Sequence, residues 1–424
     1  MGKVYRKSAQ KIEILKLNRY EKGVMIIASI ALSCSVILST RLYCMVAVCC
    51  IASLLYLATY VFEYRTVKVY KCSYLTNSIL FFCLVALSAI WAYWEISPPL
   101  ANAFQIFIFF IPNYLLFSYM VRGRNDIRLL LYILEISAFI VAIYTLNFYG
   151  FTEFSNMLQE GKRIGNDFAN SNTIGVFITI GVLAYIYDLL FIKINIFKMV
   201  FIIPCIYIIA YSGSRKAFLA LAIGLFLLWV HRFKGKNIFY TIMKEVIAVV
   251  IIVLIGTEIL SLPIFSMILE RIDLIRHFDS TTIMKTDYST YLRGLYISIG
   301  ISAFFQSPIL GIGIGNTNEL IFQQVGRYVY THNNYVEMLA CLGIIGFVLY
   351  YMMWIRPLVY VIEKNCKSKF SNPEPFFCIV VTLILLFLDC AMVPYLDFSN
   401  YFYIMLISAE AYLIKRGSIV LGEA

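Results

Sequence analysis

Long apolar runs separated by short polar segments dominate the chain. About twelve of these runs approach the ~20 residues that a helix needs to cross a bilayer. They lie near residues 23–40, 42–62, 78–95, 99–121, 127–149, 172–192, 196–212, 215–230, 244–262, 333–354, 375–393 and 398–414. In hydrocarbon, backbone polar groups must be paired within the protein, so runs of this length must be helices. The pattern predicts an all-α polytopic integral membrane protein that forms one transmembrane domain over residues 1–424.

The composition excludes a soluble domain. The 424 residues are 61% hydrophobic and 14% charged, and the mean hydropathy is +0.82. Soluble domains are about 45–50% apolar and about 25% charged, so this chain could not cover its own surface with polar groups. The net charge of +11 therefore relates to membrane topology, and we expect no nucleic-acid partner.

The distribution of Lys and Arg predicts the orientation. If both termini are cytoplasmic, the inward segments hold 25 of the 35 Lys and Arg, as the positive-inside rule requires. Residues 1–22 then form a cytosolic amphipathic segment. Two outward connections are long, at about 150–171 and at 263–331, and the second is the large extracytoplasmic loop. The stretch LPIFSMILERIDLIRHF at the start of this loop is predicted to lie along the membrane surface.

Ten cations are predicted to face outward, contrary to the positive-inside rule. They are Arg41, Lys162, Arg163, Arg215, Lys216, Arg271, Arg276, Lys285, Arg293 and Arg327. Each one is either a solvated loop charge or part of a site for an anion such as a diphosphate, which guanidinium groups bind through two parallel hydrogen bonds. Arg215 is the strongest candidate for a site, because the segment YSGSRKAFLALAIG joins two spanning runs with almost no loop. A cation at that depth requires a partner or a ligand.

A histidine marks the end of the large loop. His332 stands in THNNYVEMLACLGIIGF, and Asn333 and Glu337 follow it with i, i+4 spacing on one helix face. A neutral imidazole is the usual general base near neutral pH, although a lone loop histidine is more often structural. The nearby GIGIGN, residues 311–316, does not match a nucleotide loop and is predicted to be a flexible turn at the membrane surface. The cysteine and histidine spacing predicts no metal site.

Three motifs, in order along the chain, resemble the Wzy-type O-antigen ligase/polymerase family of bacterial cell-surface glycosyltransferases. The first is RIGNDFANSNTIG at 163–175, and the second is SGSRKAFLAL at 212–221. The third block runs from YLRGLYISIG through SPILGIGIGN to THNNYVEMLACLGIIGF and is the most specific. The number of helices and the single large late loop agree with this family, so the resemblance covers the whole chain.

The resemblance implies a GT-C-like fold and the transfer of a glycan from an undecaprenyl-diphosphate carrier to an acceptor hydroxyl at the outer face, without a cofactor or metal. Arg163, Arg215 and Arg293 match the diphosphate-binding arginines of the family. His332 matches the loop histidine that activates the acceptor. Fixed guanidinium groups would stabilise charge on the leaving diphosphate, and a base opposite the leaving group gives inversion.

We expect three further residues, Asn172, Asn333 and Glu337, to contact the diphosphate or the glycan. The expected location is the bacterial plasma (inner) membrane. The expected partners are membrane lipids, the undecaprenyl-diphosphate-linked oligosaccharide, and a flippase and a chain-length regulator of the same pathway. Within the family, the abundance of Lys, Ile, Asn, Tyr and Phe suggests an AT-rich genome. This favours a repeat-unit polymerase for surface or capsular polysaccharide over a ligase that uses lipid A-core.

Two readings from outside this family remain open. Glu135, Asp188, Asp389 and Glu410 lie in or near helices, where a proton-coupled polysaccharide or lipid transporter would place carboxylates; helix-end anchoring or buried pairing is the alternative. Such a transporter would also show inverted repeats, which the sequence lacks. A peptidoglycan-type polymerase would need a carboxylate in the large loop, where Asp273, Asp279 and Asp287 are weak candidates.

Overall fold

The structure, a computed structural model, describes residues 17–159, 164, 168–192, 196–233, 288–368 and 372–417. These residues form thirteen α-helices and no strands. The helices are α1 (Arg19–Ile37), α2 (Leu42–Tyr64), α3 (Ser73–Leu87), α4 (Ser97–Gly123), α5 (Arg128–Gln159), α6 (Ser171–Tyr187), α7 (Ile196–Ser212), α8 (Arg215–Phe233), α9 (Tyr288–Gln306), α10 (Asn316–Val325), α11 (Asn334–Lys367), α12 (Pro373–Leu388) and α13 (Phe398–Lys415).

The protein is an all-α polytopic membrane protein, as the apolar pattern predicts. Within the described ranges, eight helices are long and apolar enough to cross a bilayer, and the helical stretches Lys198–Ser212 and Pro373–Leu388 are apolar but shorter. A helix is found at eleven of the twelve predicted spans. The twelfth, at 244–262, lies outside the described residues, as do the predicted surface segment 262–278 and most of the N-terminal segment 1–22.

Helix α6 is the most enclosed span. Buried residues make up 78% of its apolar window, against 28% for α2. Glycine permits the close contacts: a Cβ on Gly181 would lie 2.2 Å from the Cβ of Ala138 on α5, and one on Gly175 would lie 2.7 Å from Ser212 Oγ. Helices α5, α7 and α8 therefore surround α6 closely, and its N-terminus is held at one end of the bundle.

The opposite end of the bundle, which we call the basic end, is fixed by ion pairs between helices. Arg124 after α4 pairs with Glu21 of α1 at 2.7 Å and with Asp126 at 3.1 Å. The guanidinium of Arg416, after α13, donates to the backbone carbonyls of Val121 and Arg124. These contacts bring the starts and ends of several helices together at one level.

Two of the four carboxylates noted in the sequence share a half-buried cation. Lys198 Nζ donates to Glu135 Oε2 at 2.6 Å and also to Asp188 of the π-helical turn Asp188–Ile192. The ring of Tyr132 lies 4.3 Å from the same ammonium group. Pairing of this kind offsets the cost of charge inside the membrane, so for Glu135 and Asp188 the structure supports the reading as buried partners.

Helix α11 is broken at Gly343, whose backbone has φ 61° and ψ −164°. The segment 307–315, which we call the strap, fills the break. Ile312 N–H donates to the carbonyl of Ala340 at 3.0 Å, and Gly313 N–H donates to that of Cys341 at 2.9 Å. Ile344 N–H donates back to the carbonyl of Pro308 at 2.9 Å.

The prediction of a flexible turn at residues 311–316 was therefore wrong. All six of these residues are buried, and Gly311, Gly313 and Gly315 have positive φ. A Cβ on Gly311 would lie 2.3 Å from the backbone of Cys341. The glycines are needed for close backbone approach and for left-handed conformations, rather than for flexibility.

Gly343→Ala should destabilise the protein by about 2–4 kcal/mol, because the new Cβ would have a disfavoured φ and would clash with backbone. That Cβ would lie 2.2 Å from the carbonyl oxygen of Ile309. The measurement is thermal unfolding of the purified protein in detergent. Gly23→Ala is the matched control, because a Cβ there meets nothing within 4 Å. Equal unfolding temperatures for the two variants would contradict the proposed role of the break.

Candidate functional site

The break between α7 and α8 brings the first two sequence motifs together. Ser212 and Ser214 are fully buried, and Gly213 between them has φ 56°. Ser214 caps α8, since its Oγ accepts from the N–H of Ala217 at 3.3 Å. The same hydroxyl donates to Asn172 Oδ1 at the start of α6 at 3.0 Å. Asn172 thus lies beside the N-terminus of α8.

Two cations occupy the first turn of α8. Arg215 and Lys216 are half-buried, directly after the Ser214 cap. Lys216 Nζ donates to the carbonyl of Ala391 in the turn that follows α12. A helix N-terminus carries a partial positive charge and unpaired N–H groups. Together with the two side chains, it makes the start of α8 a strongly electropositive position at this end of the bundle, which we call the site end.

His332 lies in the loop between α10 and α11 and is half-buried. Its φ of 60° is unusual for a residue other than glycine, which indicates that its surroundings fix the backbone. The imidazole packs against two tyrosines, with ring centroids 4.5 Å from Tyr330 and 6.0 Å from Tyr296 of α9. The sequence did not single out either tyrosine.

Two cations, the expected site residue Arg293 and Lys216 beside Arg215, affect the pKa of this imidazole. Burial first, and then the charges of Arg293 and Lys216, lower the pKa of His332 to about 4. The side chain is therefore neutral at pH 7, the form in which an imidazole accepts a proton. Arg293 on α9 and Lys216 on α8 thus lie within electrostatic range of His332. Lys216 is among the ten cations predicted from the sequence to face outward but is not named with the expected site residues, although it stands directly beside Arg215.

The residues that follow His332 hold the loop in place. Asn333 caps α11 by accepting the N–H of Val336 at 3.1 Å. Glu337 is fully buried; its Oε1 accepts from Thr317 Oγ1 at 2.6 Å, and its Oε2 accepts from the N–H and the hydroxyl of Thr331 at 3.0 and 2.9 Å. The sequence predicts that Asn333 and Glu337 contact the substrate. In this structure their side chains instead bind the protein itself, an arrangement that supports a positioning role.

Helix α12 anchors the same loop from the other side. Asn334 Nδ2 donates to Asp389 Oδ2 at 2.9 Å, and Tyr351 OH donates to the same oxygen at 3.0 Å. A cavity of about 40 Å³ beside Asp389 is also lined by Asp397. Burial raises the pKa of the Asp397 carboxyl to about 7. Tyr330 lies within electrostatic range of both Asp397 and Arg293, so this carboxyl belongs to the surroundings of the site.

Most of the predicted site residues lie at the site end. Asn172 is in contact with the start of α8, and His332, Arg293 and Lys216 interact electrostatically. Arg163 lies outside the described residues. Its neighbour Ile164 is buried and donates its N–H to the carbonyl of Tyr211, at the end of α7, at 3.4 Å.

The pKa of His332 predicts how stability depends on pH. Its folded-state pKa is lowered, so between about pH 6.5 and pH 4 the unfolded chain binds a proton that the folded chain does not. Stability is therefore lost as the pH falls through this window. When the pH falls from about 7.5 to 5.5, the free energy of unfolding of the wild type should drop by about 1 kcal/mol more than that of His332→Asn, allowing for solvent screening. Thermal unfolding at both pH values tests this, and identical pH dependence would contradict it.

Glu337 can be tested by two substitutions. Glu337→Gln retains one oxygen for Thr331 and an amide facing Thr317, so stability and any activity should largely persist. Glu337→Ala leaves the buried N–H of Thr331 unpaired and should cost about 2–4 kcal/mol. Unfolding temperature and activity are measured together. A stable Gln variant that has lost activity would assign substrate contact to the carboxylate and would contradict the positioning role.

The comparisons with known proteins agree with the motifs. Residues 199–351 match a family described as O-antigen ligase, and no curated protein matches the chain. The matched region contains most of α7, all of α8 to α10 and the first half of α11, and with them Arg215, Arg293 and His332. Asn172 and Arg163 precede it. The match confirms the resemblance: over this region the chain is similar to the O-antigen ligase family, and it is consistent with a membrane glycan-processing protein of the Wzy-type ligase/polymerase family.

Proposed function

We propose that this protein is a glycosyltransferase that polymerises undecaprenyl-diphosphate-linked oligosaccharide repeat units into surface or capsular polysaccharide. The observation that carries the proposal is the position of His332, in a loop fixed against α11, within electrostatic range of Arg293 and Lys216. A proton acceptor and cations for a diphosphate are the two groups that this reaction needs at one site.

The cations bind the diphosphate in this proposal. Arg215 and Lys216 lie at the positive N-terminus of α8, and Arg293 approaches from α9. Guanidinium groups suit phosphate oxygens because they donate two parallel hydrogen bonds. Arg163 completes the set as predicted from the motif. These charges stabilise the negative charge that develops on the leaving group, so we propose a reaction that needs no metal ion.

His332 acts as the general base. The acceptor hydroxyl oxygen forms a bond to the anomeric carbon, the bond from that carbon to the diphosphate oxygen breaks, and the hydroxyl proton passes to the imidazole. Attack opposite the leaving group inverts the anomeric configuration. A bound diphosphate would offset the charges of Arg293 and Lys216, and would therefore raise the basicity of His332 when the substrate is present.

The proposed location is the bacterial plasma membrane, with the site end facing outward and both termini in the cytoplasm. Support comes from the positive-inside distribution of charge and from the cluster of Arg124 and Arg416 at the basic end, where the Arg416 guanidinium donates to the backbone carbonyl of Arg124. A flippase that delivers the lipid-linked unit and a chain-length regulator are the proposed partners.

A ligase that transfers glycan to lipid A-core is the second candidate, because the matching family is described as O-antigen ligase. The two activities share the donor and differ in the acceptor. The polymerase is preferred on composition alone, so the acceptor must be decided by experiment.

The first test is reconstitution of the purified protein with an undecaprenyl-diphosphate-linked repeat unit as sole substrate. The wild type should give a ladder of glycan lengths on a gel. His332→Asn, which retains a residue tolerant of positive φ, should lower the rate by about 10²–10⁴-fold. Arg215→Gln should reduce it strongly, and Arg215→Lys should retain part of it because the charge remains.

Arg232→Gln is the matched control, since Arg232 lies at the other end of α8 and donates to the carbonyl of Leu190 at 2.8 Å. It should leave the ladder unchanged. A full ladder from a folded His332→Asn protein would overturn the proposed base. Product only after addition of lipid A-core would identify a ligase. Proton-dependent flux into vesicles without glycan transfer would identify a transporter.

A further inference from the structure

A large cavity lies at the basic end, on the side of the membrane opposite the site. It has a volume of about 670 Å³, is open on one side, and is lined by the start of α3, the middle of α11 and the end of α13. Four of its lining residues are cations, namely Lys71, Arg356, Lys415 and Arg416, and none is acidic. The cavity therefore presents a strongly positive surface.

Three of these cations are available to a ligand. Lys71, Arg356 and Lys415 are exposed, and among the described residues none of the three pairs with a carboxylate. Arg416 differs, because its guanidinium donates to backbone carbonyls at the end of α4. Mutual repulsion of like charges around one cavity is relieved when an anion binds.

The wall of the cavity adds two further features that favour a bound anion. Helix α3 begins there with Ser73, so the positive end of its dipole lies at the cavity. The Ser408 hydroxyl is buried, with the side chain lining the cavity, and has no hydrogen-bond partner in the described part of the chain. A buried hydroxyl without a partner is costly, and a bound ligand oxygen would satisfy it.

The exposed surface of α11 around Arg356 is apolar. On α11, Met352, Ile355 and Val359 are exposed by 41%, 48% and 55% of their surfaces. All three lie within one helical turn or so of Arg356. Exposed aliphatic side chains on a membrane helix face lipid tails. The cavity thus combines a phosphate-binding head with a surface for acyl chains, as basic pockets between membrane helices do for anionic lipids.

We propose that this cavity is a binding site for an anionic phospholipid of the inner leaflet, with the lipid phosphate held by Lys71, Arg356 and Lys415. The acyl chains then lie against the exposed face of α11. The site is distinct from the glycan-transfer site, and its assignment to the inner leaflet rests on the proposed orientation, with the basic end in the cytoplasm. A bound lipid would bridge α3, α11 and α13 at the end of the bundle opposite His332.

The test measures binding of phosphatidylglycerol to the delipidated protein by native mass spectrometry, with phosphatidylcholine as the zwitterionic comparison. Phosphatidylglycerol should be retained more tightly. The triple variant Lys71→Gln/Arg356→Gln/Lys415→Gln should weaken its binding by about a hundredfold, at roughly fivefold for each cation. Ser408→Ala should weaken it by a smaller factor.

Arg19→Gln/Lys22→Gln/Arg65→Gln is the matched control, because it removes three exposed cations from the same end of the bundle outside the cavity. It should bind as the wild type does. Equal losses in both triple variants would overturn the site in favour of diffuse surface attraction, and no loss in the first would overturn it outright.

Two further arms complete the test. Lys71→Arg/Arg356→Lys/Lys415→Arg retains the charges and should bind like the wild type, which keeps the proposal testable if the neutral variant fails to fold. Inorganic phosphate at millimolar concentration should not displace the lipid. Displacement by phosphate, together with phosphate binding that depends on the same three cations, would show a site for a soluble anion and overturn the lipid assignment.

Discussion

The pairing of backbone groups at the break in α11 is the constraint on which the site depends. Inside a membrane protein an unpaired N–H or carbonyl costs several kcal/mol, so a helix can be interrupted only where another segment supplies partners. The strap supplies them at Gly343, with hydrogen bonds between Ile312 and Ala340 and between Pro308 and Ile344. These bonds attach α9 and α10 to the spanning bundle and fix the loop that carries His332.

The first half of α11 is held at several points as a result. The strap holds its C-terminal end, Glu337 ties it to Thr317 and Thr331, and Asn334 ties it to Asp389. Each of these is a buried polar contact, and such contacts stabilise a protein only when every polar group in them has a hydrogen-bond partner. The positive φ of His332 is maintained by this surrounding network, since an isolated loop would relax to a commoner conformation.

The sequence could predict the spanning helices well because each is specified locally, by about twenty apolar residues. The family motifs also assign Arg215, Arg293 and His332 to one site, and in the structure Arg293 lies within electrostatic range of His332. The sequence could not predict the strap, because a backbone hydrogen bond from Gly313 to Cys341 leaves no local signature and three nearby glycines resemble a flexible turn. The hydrogen-bond partners of Glu337 could not be predicted for a related reason: its spacing from Asn333 indicates a shared helix face, while its partners Thr317 and Thr331 are defined only by the fold.

The charges at the two ends of the bundle differ in a way that suits a protein acting on anionic lipids. At the basic end, Arg124 is compensated by Glu21 and Asp126. At the site end, Arg293 and Lys216 act on a histidine, whose protonation they oppose. A diphosphate bound there would reverse the sign of the local field. Burial first, and then these two cations, favour the neutral form of His332. In the proposed reaction the cations would bind the charge of the substrate, and the imidazole would gain basicity when the substrate is bound.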